Sequence, residues 1–204
     1  MAFSYPSSPY IRRHGPRGYR NYRSYKPWLR DEFDFRCAYC LWRERWCANG
    51  DHEFGVDHIL PQTTHPEHIN DYDNLIYACN VCNAFKQEVA IAVNPCEEGL
   101  GHHLEIQSDG RVHALTERGA EQIALCRLNR PRLRESRRMM MEMLRLLEST
   151  TNEEARQLLE FLLGFPDNLP RLSALRPPDG NARSDSVVNS YDEKRRRGEL
   201  PATY

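Results

Sequence analysis

Two cysteine pairs with the same short spacing constrain this chain more than any other feature. They are Cys37-Ala-Tyr-Cys40 and Cys79-Asn-Val-Cys82, and 38 residues lie between them. Four thiolates on two such turns complete a tetrahedral shell around Zn²⁺, which is typical of a structural rather than a catalytic site. Closing the shell would bring the two pairs together and hold the intervening segment as a loop. A redox or incidental pairing of these cysteines is the alternative interpretation.

The cysteine count and the hydropathy pattern both bear on the cellular compartment. The chain has seven cysteines, an odd number, and in a reducing compartment CxxC spacing favours metal ligation over disulfides. We interpret Cys47, Cys96 and Cys126 as packing or bystander residues. No apolar run approaches the roughly 18 residues that span a bilayer, and the first 20 residues lack a signal-peptide segment. We therefore expect a cytoplasmic protein with no membrane partner.

The charges are distributed unevenly along the chain. Residues 1–30 carry seven basic and no acidic side chains, whereas residues 31–110 carry 4 basic and 15 acidic ones. Further basic clusters follow in RLNRPRLRESRR and KRRRGEL. An acidic centre between basic segments suits a protein whose centre binds cations and whose flanks bind a polyanion.

Composition divides the chain into four segments. Residues 1–27 form a basic, aromatic-rich arm that we expect to be flexible, and residues 28–116 form a zinc-bound domain that ends in a β-hairpin. Residues 117–168 form a C-terminal helical region, with a candidate dimer or partner surface over its Leu- and Met-rich residues 139–165. Residues 169–204 are rich in proline, serine and charge, and we expect a disordered tail.

Local patterns predict the main elements of the zinc-bound domain. KPWLRDEF predicts a short helix, FGVDHILPQ a strand stopped by Pro61, and the apolar spacing after Cys79 a helix that continues to Val93. HLEIQSDGRVHAL predicts a hairpin that turns at Asp109-Gly110.

Helical patterns also cover most of the C-terminal region. Residues 117–148 have helical periodicity that Pro131 should kink or restart. TNEEARQLLEFLLGF predicts a further helix, which Thr151 or Asn152 would cap and which ends near Gly164.

Asp57 and His58 lie side by side in the middle of an apolar strand pattern. An unpaired buried carboxylate is costly, so such a pair is either satisfied by partners or functional. Asn83 follows the last cysteine, at the first turn of the predicted helix. An acidic and an amide oxygen are hard ligands that suit Mg²⁺ or Mn²⁺, and His58 would be free to take a proton from water.

These motifs together resemble those of the HNH (ββα-metal) nucleases. The similarity lies in VDHILPQ, in Asn74-Leu75 and in CNVCNAFK, and it covers residues 33–93. It implies an α+β fold with a small ββα-metal core and zinc knuckles, followed by a β-hairpin and C-terminal helices. Residues 28–116 would then be the HNH nuclease domain with its hairpin, of the standalone bacterial restriction or defence type.

The resemblance also implies a role for each site residue. His58 would be the general base that activates water, and Asp57 and Asn83 would hold one divalent cation, Mg²⁺ or Mn²⁺, against the scissile phosphate. Asn74 would tie down the loop and orient His58, and Lys86 would contact a phosphate oxygen. The chain departs from the name-giving pattern because it has Asn83 where many relatives have histidine.

Each site residue also has a purely structural interpretation. Asp57 and His58 could be a hydrogen-bonded core pair, Asn74 a turn residue and Asn83 a helix cap. For Lys86, a solvated position on the helix is the favoured interpretation.

The motifs and the family that they resemble imply two alternative classes of function. The first is a metal-dependent endonuclease that hydrolyses DNA, in prokaryotic anti-phage defence or restriction, with a homodimer or an ATPase as possible partner. The alternative is a non-catalytic zinc-ribbon module that binds nucleic acid or acts as an adaptor. In either case we expect basic side chains to bind the DNA backbone; the candidates are Arg12, Arg13, Arg17, Arg20, Arg130, Arg134 and Arg137.

Overall fold

A two-stranded antiparallel sheet and the helix that follows it form the centre of the molecule. In the computed structural model, which describes residues 3–204, β1 (Phe54–His58) pairs with β2 (Leu75–Cys79), in a register that runs from Phe54 opposite Cys79 to His58 opposite Leu75. All five residues of β2 are buried, as its continuous apolar sequence requires. Helix α2 (Asn80–Lys86) follows β2 directly and packs on both strands, so the order is ββα. The predicted fold class is confirmed.

Helix α2 is shorter than the sequence pattern predicts. It ends at Lys86 because Gln87 adopts a left-handed conformation with φ of 55°. The following segment turns back toward β1, where the Ile91 amide donates to the Ile59 carbonyl. The prediction of a helix that continues to Val93 is therefore wrong, since a backbone contact with the end of β1 replaces the helical hydrogen bonds.

The remaining helices and the hairpin follow the sequence patterns, except the last helix, which lies in the segment predicted to be disordered. They are α1 (Lys26–Glu32), β3 (Leu104–Ile106), β4 (Val112–Ala114), α3 (Glu117–Leu125), α4 (Pro131–Glu148), α5 (Glu153–Leu163) and α6 (Tyr191–Arg196). Pro131 is the first residue of α4, so it restarts the helix rather than kinking it. Asn152 caps α5 by accepting a hydrogen bond from the Ala155 amide, and Gly164 follows the last turn.

The N-terminal arm differs from the flexible segment that we predicted. Its first two residues lie outside the described part of the chain, but the aromatic side chains of Phe3, Tyr5 and Tyr10 are buried in the core. The Tyr5 hydroxyl donates to the Tyr39 carbonyl at 2.8 Å. A Cβ atom on Gly99 would lie 2.0 Å from the Ser7 carbonyl oxygen, so only glycine permits this close approach. Apolar burial thus holds the arm against the domain.

The C-terminal segment likewise differs from the disordered tail that we predicted. Its anchor is Asp31 of α1, a fully buried carboxylate that needs hydrogen-bond donors. One oxygen accepts from the Tyr191 amide at 2.8 Å, and the other lies 2.9 Å from Nε2 of His14. The His14 ring also contacts the Ser186 hydroxyl at 2.9 Å. The arm and the tail therefore meet over α1, and long-range polar contacts that composition does not reveal order both of them.

Among residues 3–204, no helix combines the length with the apolar character that crossing a bilayer demands.

Candidate active site and metal centres

The four cysteines of the two pairs converge on one point. The Sγ atoms of Cys37, Cys40, Cys79 and Cys82 all lie within 4.8 Å of one another, and all four residues are buried. Sγ of Cys40 is 3.9 Å from Sγ of Cys79, and all four are free thiols. Tetrahedral Zn–S bonds of about 2.3 Å place the sulfurs about 3.8 Å apart, so this donor set fits a structural zinc ion.

The local backbone explains why the two turns present their sulfurs inward. After the first pair, Leu41 has a φ of 62° and the Cys37 amide donates to the Trp42 carbonyl, which closes a tight turn. In the second pair, Cys79 caps α2, and its sulfur accepts from the Cys82 amide at 3.4 Å. Burial raises the pKa of the Cys37 thiol well above its ordinary value. A bound zinc ion would take the place of the proton and stabilise the thiolate form that burial disfavours.

Asp57 on β1 is buried, and three donors satisfy its carboxylate. Oδ1 accepts hydrogen bonds from the backbone amide of His58 at 2.8 Å and from the ammonium of Lys86 at 3.0 Å. Oδ2 accepts from the hydroxyl of Tyr39 at 2.6 Å. A carboxylate offers about four lone-pair positions, so one of them remains for a further ligand on Oδ2.

Within the described residues, the ring of His58 is hydrogen-bonded through one of its two nitrogens. Nε2 lies 3.0 Å from the carbonyl oxygen of Ile69, which fixes the tautomer with the proton on Nε2. Among residues 3–204, no group hydrogen-bonds Nδ1, so its lone pair is available as a base. The ring of Tyr22 packs edge-on against the imidazole, with centroids 4.7 Å apart. Burial lowers the pKa of His58 because it disfavours the imidazolium form, so the imidazole is neutral at pH 7.

Asn74 joins the end of β1 to the loop that holds His58. Its Oδ1 accepts from the Leu60 amide at 2.8 Å, and its Nδ2 donates to the carbonyls of Leu60 and His68 at 3.2 and 3.1 Å. His68 directly precedes Ile69, whose carbonyl fixes the imidazole. These contacts are those of a residue that positions the loop around His58.

One cleft brings the candidate site residues together. Its volume is about 350 Å³, and its lining includes Asp57, His58, Asn83 and Lys86. The Asn83 amide nitrogen donates to the Val56 carbonyl at 3.4 Å, which leaves its amide oxygen as a possible ligand. One carboxylate and one amide oxygen in a polar cleft fit a hard divalent cation.

A comparison with protein families identifies the segment that carries these sites. Residues 37–88 match the model described as HNH endonuclease. This segment is an HNH endonuclease domain. Its match spans 52 of the 204 residues and includes both cysteine pairs and every residue of the proposed catalytic set. A search of curated proteins finds no match to the chain.

Lys86 of the HNH domain is not the solvated residue that the sequence favoured. Its side chain is only 1% exposed, and its ammonium pairs with Asp57 across 29 positions of the chain. That favoured interpretation is wrong, because the last turn of α2 faces β1 and buries the lysine against a carboxylate that it neutralises. Lys86 nevertheless lines the cleft.

The seven arginines predicted to bind nucleic acid fall into distinct environments. Arg17 and Arg20 are exposed. Arg12 pairs with Glu32 at 3.0 Å, and Arg13 lies 3.4 Å from a carboxylate oxygen of Asp31. The other three do not form one surface. The guanidinium of Arg130 lies 3.6 Å from Sγ of Cys82, Arg134 pairs with Asp109, and Arg137 is fully buried.

Replacing Arg137 with alanine is expected to lower the free energy of unfolding by about 3 kcal/mol, because two hydrogen-bonded carbonyls lose their donor. The side chain of Arg137, on α4, donates to the carbonyls of Gly110 and Leu128, and the first of these hydrogen bonds ties the hairpin turn to α4. Urea denaturation measures the loss, and Arg138→Ala at an exposed position of the same helix is the control. A reduced salt dependence of DNA binding in the folded variant would instead show that Arg137 contacts a phosphate.

The structure places two tyrosines at the site that were not predicted from the sequence. Tyr39 lies between the cysteines of the first pair, where side chains are usually regarded as spacers, yet it donates to Asp57. Tyr22 lies in the arm, 36 positions before the imidazole on which it packs. Arginine and tyrosine alternate around Tyr22, and this pattern was the only signal that the arm approaches the site.

Proposed function

We propose that the HNH domain makes this chain a metal-dependent endonuclease that hydrolyses DNA phosphodiester bonds. The observation that supports this most is the environment of His58. Its Nε2 is fixed by the Ile69 carbonyl, no group in residues 3–204 hydrogen-bonds its Nδ1, and Asp57 and Asn83 line the same cleft. A module that only binds nucleic acid has no need for a base oriented beside two hard ligands.

The proposed reaction begins with a proton transfer to His58. Nδ1 takes a proton from water as the water oxygen attacks phosphorus, and the bond from phosphorus to the leaving ester oxygen breaks. The leaving oxygen takes a proton from solvent. The contact between Nε2 and Ile69 stabilises the imidazolium that forms, and Asn74 holds the loop that supplies this carbonyl.

Asp57 and Asn83 are the residues that we propose to hold Mg²⁺ or Mn²⁺. When bound there, a divalent cation would neutralise the charge that develops on the phosphate and on the leaving oxygen. The four cysteines are proposed to hold a separate, structural zinc ion, which fixes the start of α2 and thereby the position of Asn83.

We propose that the arm supplies part of the DNA-binding surface. Tyr22 lines the cleft, the guanidinium of Arg23 lies 5.2 Å from its ring, and the exposed Arg20 precedes it by two positions. These side chains suit a phosphate backbone that passes the active site. The chain's resemblance to standalone HNH proteins supports a role in prokaryotic anti-phage defence or restriction. A homodimer and an ATPase partner stay predictions.

The test is plasmid cleavage by zinc-loaded protein. Supercoiled DNA is expected to be nicked with Mg²⁺ or Mn²⁺, and a chelator in the assay should stop the reaction. Asn83→Ala should weaken nicking most at low cation concentration, since it removes one of two protein ligands. Folded, zinc-loaded protein that binds DNA but never nicks it would favour the non-catalytic zinc-ribbon module.

A further inference from the structure

The buried ion pair between Lys86 and Asp57 lies in the cleft that we propose as the cation site. Both side chains are almost completely buried, at 1% and 5% exposure, and both line the cleft in which a cation would bind. The pair joins the end of α2 to the end of β1, and the lysine ammonium also lies 3.4 Å from the Gln87 carbonyl. A positive charge is thus built into the cleft beside the only carboxylate proposed as a metal ligand.

This placement changes the electrostatics of cation binding. Asp57 alone would offer a cation one negative charge, but the ammonium on Oδ1 cancels it. Asn83 contributes no charge, and the neutral hydroxyl of Tyr39 takes a position on Oδ2. The two ligands and the lysine therefore carry no net charge together. In a buried site, where charges are weakly screened, a second cation on the same carboxylate is repelled by the first.

The other charged groups that face the cleft do not reverse this balance. Glu88 follows the left-handed Gln87 on the cleft rim, and it is exposed, so water screens its charge. The imidazole of His58 adds no negative charge, and its Nε2 donates to the Ile69 carbonyl. Among residues 3–204, no acidic side chain other than Asp57 and Glu88 lines the cleft, so the further negative charge that tight binding of a divalent cation needs would come from the substrate.

We propose that Lys86 keeps the cation affinity of the site low until a DNA phosphate enters the cleft, so that the cation and the DNA bind together. The inference rests on the proposed nuclease function. The phosphate supplies the missing negative charge for both the cation and the ammonium, and each ligand then raises the affinity of the other by the same factor. Lys86 acts on the cation through Asp57 and is a positioning residue.

The test is Mn²⁺ binding to zinc-loaded protein, measured by electron paramagnetic resonance of free Mn²⁺. Without DNA, Lys86→Met is expected to bind Mn²⁺ more than about 10-fold tighter than wild type, because the repelling charge is gone. Lys86→Arg keeps the charge and should remain as weak as wild type. A cleavage-resistant phosphorothioate DNA should tighten Mn²⁺ binding by wild type more than by Lys86→Met. Zinc content and circular dichroism verify that each variant is folded.

Two results would overturn the inference. One is that Lys86→Met binds Mn²⁺ no tighter than wild type, with both proteins folded. The other is that the tighter binding survives the additional change Asp57→Asn, since the cation would then lie elsewhere. Nicking of plasmid by wild type is measured separately. If nicking occurs and Lys86→Met shows no gain, the inference fails while the nuclease function stands.

Discussion

His58→Ala is expected to lower the rate of plasmid nicking by about 10²–10⁴-fold, the contribution of a well-placed general base. Among residues 3–204, the imidazole is the only histidine ring that lines the cleft with Asp57 and Asn83, and the other carboxylate in the lining, Glu88, is exposed on the rim. Because the loss is in proton transfer, DNA affinity should change little. The measurement is the first-order rate constant for conversion of supercoiled to nicked plasmid at saturating protein and Mg²⁺.

The matched control for this variant is His113→Ala. His113 lies exposed on β4, outside the cleft, so its replacement should leave the rate unchanged. If His58→Ala retains nicking within a few-fold of wild type while the chelator still stops the reaction, water is activated by another group and the assignment of His58 is wrong.

Cys82→Ser is expected to abolish zinc binding and to unfold the HNH domain. Structural zinc sites of this kind contribute about 10–16 kcal/mol of apparent binding free energy, and this exceeds the total stability of most domains. Removal of one thiolate would leave three buried thiols and an open position. Zinc content by elemental analysis should fall from one ion per chain to well below one, and the cooperative thermal transition should be lost.

The matched control is Cys96→Ser, which alters a half-buried cysteine outside the cluster. This variant should keep one zinc ion and a thermal transition close to that of wild type. Full zinc content in folded Cys82→Ser would contradict a four-cysteine site, whereas equal zinc loss in both variants would indicate a general loss of structure.

Short-range patterns were sufficient to predict the centre of the fold. The strand that carries Asp57 and His58, the turn at Asp109-Gly110 and the restart at Pro131 each depend on a few adjacent residues, and the structure confirms them. The convergence of the cysteines could also be predicted, because a zinc shell restricts spacing strongly. The HNH match covers the same segment.

The features that sequence reasoning missed depend on contacts between distant residues. Lys86 was interpreted as solvated and residues 169–204 as disordered, yet Lys86 is neutralised by Asp57, 29 positions away, and Tyr191 donates to Asp31, 160 positions away. Composition reports how many charges a segment carries but not whether a buried partner exists elsewhere. The end of α2 was missed for a related reason, since the contact that competes with the helix comes from the segment after β1.

Tyr39 connects the cysteine cluster to the carboxylate of the candidate active site. Its backbone belongs to the turn between two sulfur ligands, and its hydroxyl donates to the carboxylate of Asp57. Cobalt(II) exchanged into the cysteine site would therefore be an optical reporter, since its visible absorption bands respond to small changes in sulfur geometry. Binding of a cation at Asp57, alone or together with DNA in the cleft, should shift those bands in wild type and shift them less in Tyr39→Phe.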